Sequence, residues 1–263
     1  MKVGFIGMGN MGYAILKGIK ENVNNENIIF HQNTLSKMKE ISKTENVKYA
    51  ESNSEVVKKS KYIILAVKPQ MFDLIAEEIK DDITSEHIII SMAPGFDIKQ
   101  LVEKFNTNKI VRTMPNTPAM IGEGVTGICY FDNCLQDDEK NAVISIFESV
   151  GKAVVVEEKL MNAVVCASGS SPAYVFMFIE ALADSVVKCG MPRQSAYEFV
   201  TQTIIGSAKL MVDTGKHPGE LKDMVCSPGG TTIAGVQELE NNGFRSAIFK
   251  ATEACFNKCN NIK

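Results

Sequence analysis

The first twelve residues constrain the chain more than any other stretch. Val3 to Ile6 is a short apolar run, Gly7, Gly9 and Gly12 then give G-x-G-x-x-G, and Ala14, Ile15, Leu16 and Ile19 follow at helical spacing. The glycine pattern alone is a weak signal. A strand before it and a helix after it supply the context it needs. Gly7 suits a tight turn, Gly9 leaves room for a pyrophosphate, and Gly12 lets helix and strand pack closely. Ile6, Gly7, Met8, Gly9, Asn10 and Met11 are therefore the expected cradle of a dinucleotide, the alternative being a glycine turn of some other α/β fold.

The next 150 residues alternate in the way such a start requires. Apolar strand candidates lie at 3–6, 27–31, 62–67, 87–91, 110–113, 125–131 and 153–156, with helical patterns between them at 10–19, 72–79 and 137–149. This predicts an α/β domain, a Rossmann-type, doubly wound, mostly parallel sheet with helices on both faces. From residue 159 the strand signals stop. Helices are expected at 172–190, 192–214, 231–241 and 244–258, with Gly190, Met191 and Pro192 as stop and restart signals. The expected division is a dinucleotide-binding domain at 1–157 and a helical domain at 158–263.

In such a sheet, ligands lie beyond the carboxyl ends of the strands. Leu65, Ala66, Val67, Lys68 and Pro69 end one strand there, and Lys68 either meets a phosphate or sugar oxygen or is a solvated surface lysine. The loops 91–95 and 114–118 follow strands in the same way, and Asn116 and Thr117 offer hydrogen bonds near a nicotinamide. After the second strand the chain reads Phe30, His31, Gln32, Asn33, Thr34, without the acidic residue that binds the ribose 2′-OH of NAD. That favours NADP, with Thr34, Lys37 and Asn53 as candidate partners of the extra phosphate, although neutral residues tolerate both cofactors.

Composition removes several function classes. The net charge is −3, so the electrostatic footprint of a nucleic-acid binder is missing. No basic, apolar leader precedes the first strand, and seven cysteines form no Cys-x-x-Cys pair, which together predict a cytoplasmic protein with reduced thiols. Three scattered histidines and the Cys255–Cys259 spacing predict no metal site. The longest apolar stretch, 173–187, is interrupted by Glu180 and Asp184 and is expected to be too short to span a membrane. Tyr174 to Ile179 is apolar on every face of its helix, so it requires burial on all sides, by a second copy of the chain or by the first domain.

The last feature is Ser227, Pro228, Gly229, Gly230, Thr231, Thr232 running into an apolar helix. Unpaired amides and the helix dipole at such a start favour an anion such as a carboxylate, with a hydroxyl beside it; a plain helix cap after a tight turn has the same appearance.

Jointly, the glycine turn, Ala66 to Pro69, Met114 to Pro118, Ser168 to Tyr174, His217 to Asp223 and Ser227 to Ile233 resemble the pyrroline-5-carboxylate reductase family, in order and over essentially the whole chain. The resemblance implies a Rossmann domain followed by an all-helical dimerisation domain, forming a homodimer or larger ring. It implies reduction of L-Δ1-pyrroline-5-carboxylate to L-proline by NAD(P)H, the last step of proline biosynthesis. By matching positions, Thr232 would hydrogen-bond the ring nitrogen as the catalytic hydroxyl, the amides of Gly230, Thr231 and Thr232 would hold the carboxylate, and Glu158 and Ser170 would lie beside the substrate. Ser171 departs from the glycine of many members, and Met224 from an asparagine of some. A β-hydroxyacid dehydrogenase shares the glycine opening, but its catalytic G-x-x-x-x-K pattern is not met after Gly169, where the chain reads Ser170, Ser171, Pro172, Ala173, Tyr174, Val175. A dinucleotide-binding sensor without catalysis is the remaining alternative.

Overall fold

The computed structural model describes residues 1–131 and 133–261. They form two compact units, Met1–Gly169 with the described part of Phe256–Lys263, and Ser170–Cys255.

The first unit is built on eight strands: β1 (Val3–Ile6), β2 (Ile28–His31), β3 (Lys48–Tyr49), β4 (Tyr62–Leu65), β5 (Ile88–Ser91), β6 (Ile110–Met114), β7 (Gly124–Tyr130) and β8 (Gly151–Val155). Their order is β3-β2-β1-β4-β5-β6-β7-β8, parallel throughout except for the antiparallel β6–β7 pair. Side chains alternate between two cores, as a sheet covered on both faces demands. Phe5, Tyr62, Ile64, Ile88, Ile90 and Val111 enter one core, while Ile6, Ile63, Leu65, Ile89 and Ile110 enter the other. The helices that cover them are α1 (Asn10–Ile19), α2 (Leu35–Glu45), α3 (Asn53–Lys59), α4 (Phe72–Ile79), α5 (Ile98–Phe105) and α6 (Asp137–Glu148). The helix α1 presents Ala14, Ile15, Leu16 and Ile19 inward, the spacing read from the sequence. Strand β3 escaped that reading because two residues, Lys48 and Tyr49, carry no period.

Beyond β8 the backbone turns helical through Glu158–Leu160, α7 (Met161–Val164) and a π-helical stretch at Val165–Ser170. The second unit then holds α8 (Ser171–Lys188), α9 (Arg193–Thr214), α10 (Pro218–Val225), α11 (Thr231–Asn241) and most of α12 (Phe244–Asn260). One expectation needs correction here. Helical backbone runs without a break from Glu158 to Lys188, 31 residues, which by length and composition alone is long and apolar enough to cross a membrane. The sequence reading missed this because residues 158–170 carry no regular period, and short 3₁₀ and π turns join them to α8.

The second unit has little interior of its own. Ala183, Ala196 and Val200 are its buried apolar core, packed between α8 and α9. Phe176, Met177, Phe199, Val212 and Phe249 remain exposed, Phe249 at 77%.

Candidate active site

The glycine turn meets three spatial demands. Gly7 has φ +88°, a backbone that side chains rarely adopt, and a Cβ there would lie 2.5 Å from Val67 Cγ1 and 2.7 Å from the Ala66 carbonyl oxygen. At Gly12 a Cβ would come within 2.9 Å of the Ala66 Cβ, so α1 rests directly on the end of β4. A Cβ at Gly9 would meet nothing within 4 Å. Gly9 is also the N-cap of α1, and neither a side-chain cap nor an acidic residue satisfies that helix start. Open space over uncapped amides at a helix N-terminus is what a pyrophosphate requires, so these residues fit a dinucleotide.

A cleft of about 320 Å³ opens from this turn. Ile6, Gly7, Met8, Thr34, Asn53, Ala66, Val67 and Lys68 line it, bringing together residues from the ends of β1, β2 and β4 and the start of α3. Of the other expected cofactor residues, Gly9, Asn10, Met11 and Pro69 lie beside it in the chain without lining it, and Lys37 does not line it either. Asn116 is buried, and its side-chain oxygen accepts a hydrogen bond from Val125 N at 2.9 Å, which ties the loop after β6 to β7. A larger cleft, about 740 Å³, opens beside the start of β2 and contains Lys20, Asn25 and Lys48. It lies at the amino ends of the strands, the wrong end for a ligand in a sheet of this type.

The cleft contains one acidic residue that the sequence reading did not anticipate. Glu78, on α4, lines it, accepting from Asn53 Nδ2 at 2.8 Å and from Asn53 N at 3.3 Å. The amide donor of Asn53 is thus engaged, while its Oδ1 is buried without a partner among the described residues. Nothing in the sequence signals Glu78, because a carboxylate near the end of an amphipathic helix is usually solvated.

On the substrate-side candidates of the first unit, Glu158 is held by two elements. Its Oε1 accepts from Ile98 N, at the first turn of α5, at 2.7 Å and from Arg112 Nη1, on β6, at 3.3 Å. Cys129 stands opposite Arg112 on β7, and burial, with Glu158 next in effect, pushes its thiol up to about 12. Elsewhere in this unit the Cys166 and Cys259 sulfurs come within 4.8 Å of each other, a proximity that the sequence separation concealed.

In the second unit, Ser170 Oγ accepts from the Cys255 thiol at 3.3 Å. The turn before α11 has Gly229 at φ +65°, and Gly230 is packed so that a Cβ would fall 2.3 Å from Ser227 Oγ. Gly230 is the N-cap of α11, which has no side-chain cap and no acidic residue in its first turn. The first-turn amides of Thr231 and Thr232 are therefore open to an anion, and Thr232 is half-buried. Met224 is exposed, at 65%.

The doubly wound sheet and its glycine cradle define a dinucleotide-binding oxidoreductase. Residues 2–95 match the family model described as NADP oxidoreductase coenzyme F420-dependent, and residues 158–262 match the one described as pyrroline-5-carboxylate reductase dimerisation. The chain is 44% identical over 261 residues to pyrroline-5-carboxylate reductase of Escherichia coli K12, spanning 98% of this chain and 96% of that protein. A solved pyrroline-5-carboxylate reductase from Coxiella burnetii superposes with a TM-score of 0.93 at 30% identity, covering 100% of this chain and 98% of the other. The Plasmodium falciparum pyrroline carboxylate reductase solved with NADP bound gives 0.85 at 34% identity, covering 98% and 97%. The chain belongs to the pyrroline-5-carboxylate reductase family.

Proposed function

We infer that this chain reduces L-Δ1-pyrroline-5-carboxylate to L-proline, the closing step of proline biosynthesis, and does so in the cytoplasm with NADPH in preference to NADH. The observation that carries the reading is the uncapped start of α11, where the amides of Thr231 and Thr232, the first two residues of the helix, follow the Gly229–Gly230 turn. When bound, the cofactor would supply hydride to the imine carbon of the substrate, the carbon that becomes C5 of proline.

The chain's own residues have to hold a small anionic ring and manage one proton. The amides of Thr231 and Thr232 bind the carboxylate, the Gly230 amide, expected to join them, being engaged by the Ser227 carbonyl oxygen at 3.0 Å; Thr232 Oγ1 orients the ring nitrogen, and Ser170 and Glu158 flank the substrate. A cyclic imine accepts hydride well once its nitrogen is protonated, so positioning is the main catalytic demand. Thr232 acts first as an orienter of the iminium and second as a relay for its proton; the Glu158 carboxylate favours the positive charge on nitrogen. Ile6 to Met11, Thr34, Asn53, Ala66 to Pro69 and Asn116 form the cofactor side. The preference for NADPH is supported by the neutral end of β2 and by the relative with NADP bound, and is opposed by Glu78, which engages the Asn53 donor in the same cleft.

Functionally the chain divides into 1–157, which binds the cofactor, and 158–263, which binds substrate and a second copy of itself; the last two residues lie outside those described. The exposed apolar side chains of the second unit support a homodimer or larger ring as their cover, in preference to a membrane. Purified protein mixed with NADPH and racemic pyrroline-5-carboxylate should lose reduced-cofactor absorbance and yield L-proline, faster than with NADH. Saturable NADPH binding without imine turnover would sink the assignment.

A further inference from the structure

Arg112 is a cation in an unfavourable place. It lies on β6, an interior strand of the sheet, with 7% of its surface exposed, and its Nε is buried without a partner among the described residues. A buried guanidinium is costly unless a carboxylate and well-made hydrogen bonds compensate it. Its neighbour across the ladder, Cys129, is a neutral thiol and offers no such charge. The ion pair it makes among the described residues is with Glu158, from Nη1 to Oε1.

Glu158 has a geometry to match. Both of its hydrogen bonds among the described residues end on Oε1, one from Arg112 and one from Ile98 N, where the dipole of α5 also favours negative charge. Two donors on rigid elements therefore fix one oxygen of the carboxylate, and Oε2 is left for another partner. The side chain remains 29% exposed, so that partner has access.

We propose that Arg112 is a positioning residue for the imine reduction: its guanidinium, with the first amide of α5, orients Glu158 so that Oε2 is presented to the substrate. This rests on the reading of Glu158 as a substrate contact. Arg112 itself touches neither substrate nor cofactor. Its removal leaves Glu158 chemically intact but free to rotate about the single anchor at Ile98.

The test compares Arg112→Met, Arg112→Lys, Glu158→Gln and the double variant Arg112→Met/Glu158→Gln in the full chain. Steady-state kinetics with pyrroline-5-carboxylate at saturating NADPH give kcat and KM, and fluorescence titration gives the NADPH Kd. Arg112→Met should weaken use of the imine about tenfold through KM, the scale of one charge-assisted hydrogen bond, with little change in NADPH Kd. Arg112→Lys should recover part of that loss, and Arg112→Met should add nothing in the Glu158→Gln background. Additive losses, or equal losses in imine and NADPH binding, would overturn the role, because a structural defect produces both. Should Arg112→Met fail to fold, an Arg112→Lys enzyme with unaltered imine KM overturns it as well. A wild-type chain that does not reduce the imine overturns this role and the reaction together; a wild type that does, beside an unaltered Arg112→Met, overturns this role alone.

Discussion

Substituting Gly9 by alanine separates the cofactor cradle from the fold. The backbone at Gly9 is extended, with φ −77° and ψ −175°, which alanine adopts without strain, and the added Cβ meets nothing within 4 Å. The remaining cost to the protein is the change at an N-cap, about 1 kcal/mol, or a few degrees in Tm for a chain of this size. The open space is, however, where a diphosphate must approach the first amides of α1. Losing one charge-assisted hydrogen bond there costs about 1.5–3 kcal/mol, so NADPH affinity should fall by about ten- to one-hundred-and-fifty-fold. Gly12→Ala is the counterpart. Its Cβ would press 2.9 Å from the Ala66 Cβ, pushing α1 off the sheet, and it should lower Tm and affinity together. Scanning fluorimetry without ligand and NADPH titration, run on both variants, measure the two effects. A Gly9→Ala protein with normal Tm and normal NADPH affinity would refute the placement of the pyrophosphate at this turn.

Thr232→Ala should reduce kcat for the imine far more than it changes NADPH affinity, and equal losses in steady-state kinetics and titration would contradict its role as orienter. Glu139, almost fully buried, is pulled down to about 2: burial opposes its charge, but hydrogen bonds from Lys109, Lys61 and the Gln136 amide outweigh that. Because the folded carboxyl titrates below the unfolded one, its contribution is complete above the unfolded range and is lost as pH falls from about 4.5 towards 2; urea unfolding of wild type and Glu139→Gln should differ by up to about 3 kcal/mol at pH 7 and converge near pH 2. Cys129, buried and with its thiol pushed up to about 12, should resist alkylation of the native protein at pH 8, while the exposed Cys189 reacts; mass spectrometry of the labelled peptides decides.

Much of the first unit was legible from local pattern. Strand β1, helix α1 and helix α4 fall where period and glycine spacing put them, because each buries a continuous apolar stripe beside an unmistakable turn. Helices α2 and α10 were not read, since polar, surface-facing segments carry little periodic signal. The residues at the ends of β1 and β4 were recognisable as a candidate cofactor cradle because glycine chemistry is local: φ +88° at Gly7 and the approach at Gly12 are requirements of the residues themselves. Glu78 beside Asn53 and Arg112 beside Glu158 were invisible in the chain, separated by 25 and 46 positions. Pairing of that kind depends on which strand ends the sheet order brings together, and no local rule encodes it.

What the sequence determined by itself was therefore the class of fold, the dinucleotide turn and the family, all written in short motifs whose physical demands are local. What only the tertiary structure decided was the wiring around those motifs: a carboxylate in the cleft beside the glycine turn, a buried arginine spent on Glu158, and a helical half whose own core is three small side chains between α8 and α9. The reason is the same in each case. Desolvation and charge pairing act on distances in space, and those are set by how the strands and helices of each unit pack.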